Sequence, residues 1–330
     1  MVLLNIELKW SLYSDGTHGG LTNRLQMALE NLRIFDWNRA GGKINTSGTR
    51  YHFKPWSEGV WVLGGGENLL KSFGLKSFHD FFEVKGDIVD VNPRSRVIKA
   101  LLGPKKKIFY LKLHKDYVKS SLKTFFRPIP MVMKELTNLM HYARLGYDHL
   151  EPVAWGWRPR KGGGDSFLLV SNLAGFKPLS EMLSERALLS DPIERREIRK
   201  TVAEMLSRMH GAGLAHVDLF SWHIFLKRAG KGFIAQPIDL ERTRVRTLWP
   251  WSFLRFRRKE ASDLAALHLT VPFPDVGYGE RLNFFLQYRG HRRLDRKDGA
   301  LLKRVIKESR RRGIKNKFKP YGIAGRLPLK

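Results

Sequence analysis

The 330 residues predict an α+β chain in two lobes, a small antiparallel-sheet lobe followed by a mainly helical one, after an N-terminal extension. Three observations carry this. From about Phe78 to Leu113, short runs rich in β-branched and aromatic residues are separated by Asn92-Pro93 and Gly103-Pro104 turns, a pattern of antiparallel strands. Further on, Ile198, Val202, Met205, Leu206 and Met209 recur at helical spacing, and Gly211 and Gly213 close that helix. Directly after it, His216 to Arg246 reads as two short apolar strands around a basic, glycine-containing turn, with Asp218 and Asp239 at their edges.

Taken in order, residues 1–75 form the extension, with a short helix expected over Asn23–Leu32 and a strand-like fragment at Val60-Trp61-Val62-Leu63. Gly64-Gly65-Gly66 lacks the Gly-Lys-Ser/Thr that a phosphate loop needs, so it reads as a turn. The sheet lobe spans 76–171. Strands are expected over Phe81–Val91, Arg96–Leu102 and Ile108–Leu113. A helix follows Pro128 and Pro130, with Met133, Leu136, Met140 and Ala143 on one face and Glu135 near its start. Val153–Trp157 and Phe167–Val170 then pair across the Lys161–Asp165 loop, and Ser171–Gly175 reads as the hinge. The helical lobe spans 172–330; Ser262-Asp263-Leu264 opens a further apolar helix, and the tail is basic.

Composition narrows the function classes. A hydrophobic fraction of 42% supports a real core, and the absence of cysteine excludes disulfide frameworks and Cys-based zinc sites. Sixty Lys/Arg against 31 Asp/Glu give a net charge of +29, a surface that favours polyanions such as nucleic acid, anionic lipid or a phosphorylated substrate. Residues 281–330 hold 17 of those cations and only 3 acids. No secretory leader and no apolar run of membrane-spanning length is visible, so contact with a membrane is expected from its surface.

The chemistry is carried by spacing. Protein-kinase-type phosphotransferases place a catalytic Asp, a second metal ligand five residues on, and a metal-binding Asp after the next strand. Asp218, His223 and Asp239 match that spacing. By itself His216-Val217-Asp218 also describes a core histidine beside a surface acid. Lys112, on the third strand, is either a solvated edge residue or the partner of a helix carboxylate. Glu135 either complements the helix dipole or is that partner.

From about residue 76 to 295 the chain resembles the lipopolysaccharide core kinases of the Kdo/WaaP family, which have a protein-kinase-like fold. The resemblance rests on Phe109-Tyr110-Leu111-Lys112-Leu113-His114, on Leu122–Glu135 with its Arg127-Pro128-x-Pro130 turn, and on Met209–His216. It rests further on Asp218 followed by His223, on Ile238-Asp239-Leu240, and on Asp263-Leu264-Ala265-Ala266-Leu267. Val217 stands where Arg is usual, and Asn92-Pro93-Arg94-Ser95-Arg96 occupies the place of a glycine-rich loop.

The resemblance implies phosphoryl transfer from ATP to a heptose or Kdo hydroxyl. Asp218 would be the catalytic base, Asp239 the Mg²⁺ ligand, Lys112 the phosphate-binding lysine, Glu135 its positioning partner, and His223 a contact to phosphate or to Asp239. It also implies lipopolysaccharide core or its precursor as substrate, no specific nucleic acid, and a cytoplasmic protein on the inner face of the inner membrane. The stretch Leu248–Lys259, aromatic and cationic in alternation, is the expected contact with anionic lipid.

Overall fold

The computed structural model describes residues 35–36, 43–44, 51–119, 129–147, 150–160, 163–185, 191–246, 250–271 and 276–316. The Asn23–Leu32 helix, the Arg127-Pro128 turn, Lys161-Gly162 and the side chains of Trp249 and Trp251 lie outside the described residues. Two compact units are present. One is Ile44–Gly175 with Ile238–Glu241; the other is built on Phe176–Pro237 and Arg242–Lys330.

The first unit is organised by a seven-stranded antiparallel sheet in the order β1-β2-β6-β7-β5-β4-β3. Its strands are β1 (Phe53–Ser57), β2 (Val60–Leu63), β3 (Asp87–Asn92), β4 (Ser95–Leu102), β5 (Lys107–His114), β6 (Pro152–Arg160) and β7 (Gly163–Ser171). Residues 53–63 thus extend one edge of the sheet, where Trp61 faces Trp155 across the β2–β6 pair and the rings stack at 4.2 Å. On β5 the two-residue period buries Phe109, Leu111 and Leu113 in the core and sends Tyr110 and Lys112 to the other face.

The expected strand over Phe81–Val91 is a correction. Asp80–Glu83 is a short helix (α1 is Glu67–Ser72, α2 this one), and the strand begins at Asp87. Asp80 accepts hydrogen bonds from the amides of Lys76 and Ser77, which nucleates the turn. Gly86 then lies so close to the Lys99 carbonyl that a Cβ would sit 2.3 Å from its oxygen. Phe81 is consequently a core residue, its ring 3.8 Å from that of Phe167. Helix α3 (Met131–Arg144) starts after Pro130, as the sequence predicts.

In the second unit, β8 (Lys177–Pro178) pairs with β9 (Ile224–Ala229), which forms a hairpin with β10 (Gly232–Pro237). Helix α4 (Pro192–Gly211) is capped by the Asp191 carboxylate, which accepts from the amides of Ile193 and Glu194. Helix α5 (Pro250–Thr270) begins well before Ser262, where the sequence was expected to open it. Helices α6 (Tyr278–Arg289) and α7 (Arg296–Asn316) pack on α4 and α5 respectively. No described helix is long and apolar enough to cross a membrane.

Candidate functional site

In the first unit three carboxylates converge on one ammonium. Lys112 Nζ lies 2.9 Å from Glu135 Oε2, 2.9 Å from Asp239 Oδ1 and 3.1 Å from Glu241 Oε2. Strand β5 supplies the lysine, α3 the first carboxylate, and the segment after β10 the other two. One helix braces that segment as well: Asn138, a turn beyond Glu135, donates to the Leu240 carbonyl at 2.6 Å. Asp239 itself is held at φ +57°, in the left-handed region that non-glycine residues seldom occupy.

Burial alone would depress the Lys112 ammonium, but the carboxylates of Glu135, Asp239 and Glu241 outweigh it and hold the pKa well above the usual lysine value. Burial pushes the Glu135 carboxyl up to about 6, against the pull of Lys112. Three carboxylates thus share one ammonium. Asp239 and Glu241 are hard oxygen donors, and such a set suits a divalent cation of the magnesium type.

Two residues along β5 from Lys112, His114 is fully buried, and burial lowers its pKa to about 3, with Lys112 adding to the effect. The turn before β4 is closed by its own side chain, since Asn92 Oδ1 accepts from the amides of Arg94 and Ser95 at 3.1 and 2.9 Å. Those amides are therefore engaged, and the turn offers the exposed Arg94 side chain.

In the second unit the loop around Asp218 is fixed atom by atom. The buried Asp263 carboxylate on α5 accepts from the amides of His216 and Val217 at 2.7 and 2.6 Å, and pairs with His210 Nε2 at 3.1 Å. Ser221 is tied twice to Thr270, through its amide to Oγ1 and through its hydroxyl to the carbonyl, each at 2.9 Å. His223 Nδ1 donates to the Asp218 carbonyl at 2.8 Å; since a carbonyl only accepts, that nitrogen carries a proton. Arg242 donates to Asp218 Oδ2 at 2.5 Å.

Of the residues singled out in the sequence, Lys112, Glu135 and Asp239 meet in one cluster, and Asp218 and His223 share one loop. Sequence reasoning missed Glu241, Arg242 and Arg312 and saw Asp263 only as part of a helix. Glu241 and Arg242 lie within three residues of Asp239, so proximity in the chain was an available signal. Arg312 carried none.

The model of the lipopolysaccharide kinase (Kdo/WaaP) family matches residues 94–276. No curated protein matches the chain in sequence. Among solved structures, WaaP in complex with acyl carrier protein superposes with a TM-score of 0.57 at 20% identity, over 74% of this chain and 96% of that one. At that identity the likeness is one of fold.

Proposed function

The chain belongs to the lipopolysaccharide kinase (Kdo/WaaP) family, and on that premise we propose that it transfers the γ-phosphoryl group of ATP to a heptose or Kdo hydroxyl of the lipopolysaccharide inner core. The observation that carries this reading is the Lys112 cluster. A lysine held by a helix glutamate and by the aspartate after the β-hairpin is the arrangement that phosphoryl transfer needs for nucleotide phosphates and metal.

In this mechanism Asp218 accepts the proton of the sugar hydroxyl and orients its oxygen for in-line attack on the γ-phosphorus, with ADP as leaving group. Arg242 would have to yield Asp218 Oδ2 to the incoming hydroxyl. Lys112 binds the phosphates while Glu135 keeps it aimed. Asp239 and Glu241 would hold Mg²⁺, which neutralises charge building on the phosphate oxygens. His223 holds the Asp218 peptide through Nδ1 and directs Nε2 to a phosphate oxygen in its protonated form.

Partners follow from charge and from the structural relative. The +29 net charge favours an anionic lipid-linked acceptor, and we place the protein peripherally on the cytoplasmic face of the inner membrane. WaaP was solved with an acyl carrier protein, and such a carrier is a second partner for this surface. The second unit also holds a largely apolar, half-open pocket of about 390 Å³, lined by Leu264, Leu267, Phe285, Leu302 and Val305, which suits an acyl chain. A nucleic-acid-binding protein on an inactive kinase scaffold is the weaker reading, because such a scaffold has no use for the Lys112–Asp239 pair.

The test is mass spectrometry of lipopolysaccharide from cells with and without this gene, joined to transfer of labelled phosphate from ATP to the phosphate-deficient core. Loss of one phosphate from a defined core sugar is the expected result. An unchanged core, with no labelled product in vitro, overturns the reading.

A further inference from the structure

The C-terminal segment reads in the sequence only as a basic tail, yet one of its cations is almost fully buried. Arg312 on α7 is 8% exposed and donates from its guanidinium to the Val217 carbonyl at 2.6 Å and to the Ser262 hydroxyl. Its other nitrogens face Glu308 at 3.3 Å, one turn back on α7, and Asp218 Oδ1 at 3.8 Å. A buried guanidinium is costly unless its donors are used, so this placement calls for a reason beyond packing.

That reason lies in the conformation of Val217. Its φ is +78°, a strained value for a β-branched residue, and such strain persists only where the surroundings over-determine it. Asp263 holds the two amides on one side of this residue. Arg312 holds its carbonyl on the other. The peptide that follows that carbonyl leads directly into Asp218, so its plane sets where the Asp218 carboxylate points. Arg312 also lies past residue 276, where the family match ends, so it is a feature of this chain beyond that segment.

We propose that Arg312 is a positioning residue for Asp218, and that α7 is thereby a working part of the phosphotransferase and not an appended anionic-surface anchor. The proposal rests on the assignment of Asp218 as the base. Arg312 makes no hydrogen bond to the Asp218 carboxylate, which it approaches only to 3.8 Å; it acts by fixing the Val217–Asp218 peptide in the one orientation that presents the carboxylate.

The experiment uses the full chain with Arg312→Met, Arg312→Lys and Arg312→Ala, and reads two quantities. The first is hydrogen–deuterium exchange of the peptide covering residues 214–220, which needs no substrate. The second is kcat and ATP KM for phosphate transfer to purified, phosphate-deficient lipopolysaccharide. Arg312→Met is expected to speed exchange in that peptide and to lower kcat about 10²-fold, the scale of a misplaced catalytic group, with ATP KM little changed. Guanidinium ion should restore part of the lost rate to Arg312→Ala, where the same concentration of sodium does not. Exchange at the wild-type rate in folded Arg312→Met, or a wild-type kcat, overturns the proposal. If Arg312→Met does not fold, Arg312→Lys decides: a folded lysine variant with wild-type exchange and kcat is equally fatal. A wild-type protein that transfers no phosphate at all speaks against the kinase reading, while the exchange result still tests the clamp.

Discussion

Asn138 donates to the carbonyl of Leu240 at 2.6 Å, and it does so from the same helix whose preceding turn presents Glu135 to Lys112. One rigid element therefore fixes both ends of the cluster. The carbonyl it satisfies belongs to a fully buried residue between Asp239 and Glu241. Asn138→Leu should cost about 1–3 kcal/mol, the penalty of an orphaned buried acceptor. Denaturant unfolding checks the stability, and phosphate transfer should fall further than the stability loss alone would produce.

Asp218→Asn should abolish transfer and leave nucleotide binding intact. The substitution keeps the volume and one oxygen that can accept from Arg242, and it removes the negative charge together with the ability to take a proton. Fluorescent-nucleotide titration alongside turnover separates the two effects. Near-normal turnover in a folded Asp218→Asn protein is incompatible with its role as base.

Lys112→Met should cost strongly, because the lysine has no substitute in the described cluster. Glu135→Gln should cost less, since Glu241 still holds the ammonium at 3.1 Å. The pair Lys112→Met and Glu135→Gln should be less than additive, because once the lysine is gone the glutamate has nothing to position. The pair Glu135→Gln and Glu241→Gln should instead exceed the sum of its parts. Two double-mutant cycles on kcat/KM measure both signs, and additivity in each would mean that the three residues act separately.

How much of this was legible in the sequence depended on range. Lys112, Glu135, Asp218, His223 and Asp239 each sit in a local pattern, a strand alternation, a helix start or a hairpin edge, and the order of those patterns is itself informative. Glu241 has no period of its own and looks like any charged residue after a strand. Asp263 reads as a helix-opening acid, whereas α5 starts at Pro250 and buries that carboxylate in mid-helix to hold two loop amides. Arg312 meets Val217 across 95 residues, among cations that do face solvent, so nothing local distinguishes it. The misread at Phe81–Val91 had a visible cause in Gly86, which marks the break between helix and strand.

Acid should destabilise the fold through buried histidines. His114, His141 and His268 are held neutral chiefly by burial, with pKa values lowered from 6.5 to about 3, about 4 and about 4. A depressed histidine contributes stability above pH 6.5, and this is lost as pH falls below that value because only the unfolded chain takes up the proton. Glu135 works in the opposite sense: its pKa is raised to about 6, so the folded state takes up a proton first and gains stability as pH falls toward 4.5. Between pH 6 and 4.5 three histidine protons oppose one glutamate proton, so stability falls with pH by roughly two protons' worth, about 2.7 kcal/mol per pH unit. His141→Leu should roughly halve that slope, which a series of urea titrations at stepped pH would register.

The last expectation concerns the membrane. Of the aromatic and cationic stretch 248–259, Phe256 is a core residue, 6% exposed and beneath Arg246, whose guanidinium lies 5.7 Å from its ring. It is not available to lipid. Leu254 is 55% exposed, and Arg255 and Arg258 are exposed with it, so among the described side chains this face of α5 presents an apolar residue flanked by charge. Each cation near an anionic surface contributes about 1 kcal/mol, and reversing two of them replaces attraction with repulsion. Arg255→Glu/Arg258→Glu should therefore weaken flotation with anionic vesicles at physiological salt, with no change on neutral ones and no loss of thermal stability. Soluble transfer to a delipidated core oligosaccharide should be unaffected, because neither arginine belongs to the Asp218 loop or the Lys112 cluster. If wild type ignores anionic vesicles, or the folded variant floats as well as wild type, the basic charge of α5 serves some other anion and the peripheral-membrane reading is wrong.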